Sequence, residues 1–171
     1  MANGLISPDR RRLLLTAALL PLAGCGFQPV YGEGSPASDL LGQVAIATVA
    51  GNARTAYFMR EQLVRRLGRA PTDPAYNLRA GVEMTTRGAA IAQDNEITRY
   101  SVLGNAEWEL WRSGTAEPVA TGLVESATSY SATESTFATR TAGRDAERRL
   151  AVDLAERIVI GVSLAAADLA A

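Results

Sequence analysis

Histidine and lysine are both absent from this chain of 171 residues, and cysteine occurs only once. Without histidine the chain lacks the commonest general base and the commonest metal ligand. It also holds no glycine-rich phosphate loop, no Gly-x-Ser-x-Gly elbow and no metal-ligand spacing. Carboxylates recur at alternate positions, as at Glu107 and Glu109, but alternation along a strand describes a solvated face. All 17 basic residues are arginine, set against 18 acids for a formal charge of −1, which is no footprint for nucleic acid. An apolar run of about 20 residues, the length that crosses a bilayer, is missing too. Enzyme chemistry therefore has little to work with here, no cofactor is implied, and the chain is expected to act through its surface.

What is present begins with that single thiol. Arg10 to Arg12 precede an apolar stretch from Leu13 to about Leu22, and Leu22-Ala23-Gly24-Cys25 follows. A basic start and an apolar core of roughly ten residues, within the usual ~7–15, make a secretory signal peptide. A branched residue, two small ones and then cysteine form a lipobox, in which the thiol takes a diacylglycerol after the leader is cut. Residues 1–24 are accordingly read as a removed signal peptide, with Cys25 as the lipid attachment site (S-diacylglycerol and N-palmitoyl). Each buried methylene contributes about 0.8 kcal/mol, so several acyl chains anchor stably. Gly26 stands where an inner-membrane lipoprotein usually carries Asp, and by resemblance to other lipoproteins the expected location is the outer membrane, facing the periplasm. Asp9 to Leu14 also resembles a twin-arginine signal, which leaves the export route open. The leader carries Asp9 and three Arg, a net +2, so its removal takes the formal charge from −1 to −3. With its one cysteine acylated, the remaining domain has no disulfide and depends on its core.

Residues 25–42, rich in Gly, Pro and Ser, read as a lipidated tether, with Phe27, Val30 and Tyr31 as apolar exceptions. A single domain is expected over 43–166. It opens with a short strand at 43–51 and a helix at about 53–68, where Ala56, Met59, Leu63 and Leu67 keep helical spacing and Gly68 ends it. After a proline-containing loop at 70–75, Tyr76, Leu78, Ala80, Val82 and Met84 alternate with polar residues, a strand that runs to about Ala92 with a bulge allowed at Gly88. A turn at 93–96 leads into a return strand at 97–112 with Tyr100, Val102, Ala106, Trp108 and Leu110 on one side. That alternation sets Trp111 opposite Trp108, which makes Trp111 a candidate partner-interface residue. A strand at about 119–131 follows, its small and Thr/Ser-rich pattern leaving the inward face open. Ala146, Leu150, Leu154, Ile158 and Val162 then form the stripe of a helix over about 139–166, and residues 167–171 read as a frayed tail. The order β-α-β-β-β-α implies an α+β two-layer sandwich: a four-stranded, mostly antiparallel sheet with two helices on one face. The other face is left either to solvent or to something larger.

Three stretches together carry a resemblance: "LAGCGFQPVYG" (22–32), "AAIAQDNEITRYSVLGNAEWELW" (89–111) and "SATSYSATESTFATRTAGRDAERRLAVDLAERI" (126–158). They resemble the lipobox and mature start, the central hairpin, and the last strand and helix of the LptE family of lipopolysaccharide-assembly lipoproteins, in its alphaproteobacterial form. The resemblance implies a non-catalytic outer-membrane lipoprotein that plugs an LptD-type β-barrel, supports its assembly and assists lipopolysaccharide transport to the cell surface. It also implies lipopolysaccharide contact by basic residues near the central hairpin, which here are Arg87 and Arg99. The turn itself, Gln93-Asp94-Asn95-Glu96, departs from the family in being acidic. Two other functions compete: an auxiliary periplasmic lipoprotein of an ABC-type lipid transporter, and an envelope hydrolase using a carboxylate pair such as Glu107 and Glu109.

Overall fold

A computed structural model describes residues 36–91 and 97–170. Cys25 and the turn at 93–96 lie outside the described residues. The elements are α1 (Pro36–Leu41), β1 (Val44–Ala50), α2 (Ala53–Leu67), β2 (Tyr76–Ile91), β3 (Ile97–Arg112), β4 (Pro118–Ser131) and α3 (Thr136–Ala170). The strands form one sheet in the order β1-β2-β3-β4. β1 and β2 are parallel, joined by α2, while β2-β3-β4 is an antiparallel meander. The expected α+β sandwich is therefore the observed one.

The local signals explain the elements. Asn52 caps α2, its side chain accepting from the Arg54 N–H at 3.1 Å, and Gly68 ends it at φ +84°, a conformation that costs glycine no Cβ clash. Thr55, Met59, Leu63 and Leu67 are buried along α2; Thr55, not Ala56, begins the buried stripe, and its hydroxyl faces the Met84 sulfur at 3.8 Å. On α3 the stripe Ala146, Leu150, Leu154, Ile158 and Val162 is buried as the period requires. These residues meet Leu78, Val82, Val102, Ala106, Trp108 and Leu110 from the sheet in one core. Each fully buried Leu or Ile stabilises by about 1.5–3 kcal/mol relative to exposure.

Two segments differ from the sequence expectation. The segment read as an extended tether contains α1, whose Leu40 and Leu41 are only 8% exposed, because a Leu-Leu pair next to β1 can be buried against α3. The helical layer thus has three members. The last helix begins at Thr136 and runs unbroken to Ala170, with Ala166 buried, so residues 167–170 continue the helix where fraying was expected. In β2 the register shifts just past Gly88, as the sequence allowed: Gly88 pairs with Tyr100 and Ala90 with Arg99, so Ala89 is the extra residue, and a second shift follows between Ala90 and Ile91.

Candidate functional site: the open face of the sheet

Odd-numbered residues of β2, β3 and β4 point away from the helices, since their even neighbours Leu78, Val82, Val102, Trp108 and Leu110 are buried beneath them. Registration places Arg79 beside Glu109, Glu83 beside Asn105 and Arg87 beside Ser101; on the other side of β3, Glu125 faces Asn105 and Ala127 faces Leu103. Asn105 thus stands between two carboxylates, with Glu107 one step along the same strand. Glu83, Thr85, Arg87, Leu103, Asn105, Glu125 and Ala127 border a shallow trough of about 540 Å³.

Charge divides this face into three zones. At the hairpin end Arg87 and Arg99 are both exposed on the open face and are diagonal neighbours, one opposite Ser101 and the other two residues beyond it. Glu83, Glu107 and Glu125 occupy the middle. At the far end the Arg79 guanidinium lies 4.6 Å from the centre of the Trp111 ring, and the Trp111 Nε1–H donates to Glu109 Oε2 at 2.9 Å. The expected opposition of the tryptophans is observed: Trp108 is 5% exposed in the core, and Trp111 is half-buried on the open face. Trp111 presents an edge held by a carboxylate and a face held by a cation, so it is rigid before any partner arrives.

Two apolar side chains on this face were not singled out from sequence. Leu103 is 41% exposed and Leu123 57%. Leu103 was legible, being an odd position in a strand whose even positions form the core. Leu123 was not, because β4 alternates small and polar residues on both sides. Its orientation comes from registration, which sets Gly122 against Trp108 and so turns Leu123 outward. Tyr130, also on the helix side, stacks on Tyr100 at 5.1 Å between ring centres. Burial is the main reason the Tyr130 hydroxyl is pushed above its ordinary pKa, with Tyr100 and Glu147 adding to it.

Among the described residues no three His, Cys, Asp or Glu side chains are grouped to hold a metal ion, and no helix is long and apolar enough to cross a membrane. Glu107 and Glu109 lie on the open face, one exposed and the other half-buried against Trp111. The face offers arginines, carboxylates and a held indole around this shallow trough.

A four-stranded open sheet backed by helices on one side is an architecture found among solved lipoproteins. The rare lipoprotein B of Shewanella oneidensis matches with a TM-score of 0.60 at 14% identity, over 75% of this chain and 99% of that one. A candidate lipoprotein of Caulobacter crescentus CB15 matches with a TM-score of 0.59 at 23% identity, over 76% and 94%. A minor lipoprotein of Acinetobacter baumannii gives 0.51 at 17%, over 72% and 92%. At these identities the likeness is one of fold. No protein-family model and no curated protein sequence matches the chain.

Proposed function

We propose that this chain is an LptE-type lipoprotein, anchored to the outer membrane through Cys25, that seats its domain in an LptD-type β-barrel and assists lipopolysaccharide transport. The observation that carries the proposal is the fold likeness to a rare lipoprotein B, which takes in 99% of that chain. It meets a lipobox recognised separately in the sequence. The mechanism is scaffolding. Barrel lumens are polar, and the Ala, Thr and Ser residues of the open face let such a wall approach closely, with Trp111 as a rigid contact. Arg87 and Arg99, at the hairpin end, suit bidentate contact with lipid A phosphates, a geometry that guanidinium matches. The carboxylates in the middle of the face repel such an anion and confine it to that end.

The test is recovery of partners. The full chain carrying a C-terminal tag is purified from outer membranes in mild detergent. Recovery with a large β-barrel supports the proposal. Recovery without one, or with an inner-membrane lipid transporter, overturns it.

A further inference from the structure

β4 is an edge strand, and the direction of its backbone groups follows from the ladder it makes. The Ala132 N–H donates to the Thr98 carbonyl at 2.9 Å, and pairing continues without a shift from Arg99 and Ser131 to Leu110 and Ala120. Bonded pairs alternate along an antiparallel ladder. Even-numbered residues of β4 therefore direct their N–H and C=O groups to β3, and Thr121, Leu123, Glu125, Ala127 and Ser129 direct theirs outward.

Both ends of that outward row are closed. Pro118 has no N–H. At the other end Arg149 Nη2 donates to the Ser129 carbonyl at 3.3 Å. Between them, inside the register shift that leaves Val119 unpaired, lies the run Ala120–Ser126, whose midpoint is Leu123. Natural edge strands are kept from pairing by shortness, bulges, proline or basic residues. The opposite edge, β1, has seven residues and a register shift between Ile46 and Thr48. The run in β4 has no proline and no basic residue, and its one charge is Glu125.

Apolar side chains flank its midpoint on both sides of the sheet. Leu123 is 57% exposed on the open face. On α3, Arg149 and Asp153 mark the helix face that reaches β4, bonding Ser129 and Ser126. Ile160 and Leu164 continue that face at helical spacing, and they are 51% and 56% exposed.

We propose that the chain, when free of any barrel, pairs with a second copy through β4, antiparallel about a two-fold axis at Leu123, to form one eight-stranded sheet. The same run serves both copies, as an isologous interface requires. In this register Leu123 faces the second copy's Leu123, with Cα atoms about 5.5 Å apart. Thr121 faces the second copy's Glu125, so no like charges meet; an axis at Glu125 would oppose two carboxylates. Ile160 and Leu164 of both copies fall on one side of the new strand pair and shield each other from water. The pairing rests on the strand edge alone, so recovery of a barrel and formation of the dimer are separate results.

Symmetry makes the test direct. In the full chain, Leu123→Cys should give a disulfide-linked dimer on mild oxidation. Leu103→Cys, on the same face but one strand inward, and the parent chain with its acylated Cys25 should not. Mixed Thr121→Cys and Glu125→Cys chains should link to each other. Leu123→Lys should halve the mass measured by sedimentation, while Leu103→Lys leaves it dimeric and circular dichroism shows both folded. A parent chain that sediments as a monomer at its highest soluble concentration overturns the proposal. So does equal crosslinking from position 103, or a Leu123→Cys chain that links only to a different protein.

Discussion

Trp108 lies so close to Gly161 that a Cβ on residue 161 would stand 2.8 Å from Trp108 Cζ2. On β4, a Cβ on Gly122 would stand 2.6 Å from the Trp108 Nε1. The indole thus occupies a slot between β4 and α3 that exists because two positions carry no side chain. Overpacking of this kind costs about 1–3 kcal/mol. In the helix, Ala gains back roughly 1 kcal/mol over Gly in propensity. Gly122→Ala is therefore expected to lower the urea midpoint more than Gly161→Ala does, and the order of the two midpoints checks it.

Leu154 is completely buried in the stripe that joins α3 to the sheet. Its replacement by Ala should destabilise by about 2–5 kcal/mol, the range for a truncated core leucine. Leu164→Ala, more than half exposed, should stay within about 0.5 kcal/mol in monomeric protein. Equal losses at the two positions would show that α3 is not packed as described.

Asp153 ties α3 to β4. The Ser126 hydroxyl donates to its Oδ2, and Arg157 Nε approaches the same oxygen at 2.9 Å. The Ser126 hydrogen bond, aided by Arg157 and opposed by burial, holds the carboxyl below its ordinary value of 3.8. The unfolded chain then binds the proton more readily than the folded one. The stabilisation is present above pH 3.8 and is lost as pH falls through the lower folded value. Ser126→Ala should lower the melting temperature at neutral pH, and the gap from the parent chain should close in acid. A gap independent of pH would exclude this linkage.

Arg87 and Arg99 are exposed, so replacing them should leave the melting temperature unchanged while weakening lipopolysaccharide binding. Exposed ion pairs contribute about 0.2–1 kcal/mol each, which makes a loss of roughly two- to thirtyfold for the double Ala variant. Titration with labelled lipopolysaccharide measures it. Undiminished binding removes both arginines from the proposed contact.

Much of this architecture was legible from spacing. Leu78, Ala80, Val82, Val102, Ala106, Trp108, Leu110 and the stripe from Ala146 to Val162 are buried as their periods required, with Tyr76 and Met84 partly so, because burial on one face writes the same period into the chain. Of the site, Arg87, Arg99 and Trp111 were named and lie on the open face. What escaped was whatever depends on a remote neighbour. β4 has few large residues and declared no inward side until Gly122 was set against Trp108. α1 looked like linker because six residues hold too little pattern to reveal that Leu40 and Leu41 are buried.

The chain's own spacing was enough for the order of the four strands and the two longer helices, and for the inward side of β2 and β3, since each arises within a few neighbouring residues. Folding was needed to set β1 parallel to β2, to hold the Trp111 ring between Arg79 and Glu109, and to leave β4 as an edge with Leu123, Ile160 and Leu164 beside it. Those relations join residues far apart along the chain, and registration between strands, which no local period encodes, is what brings them together.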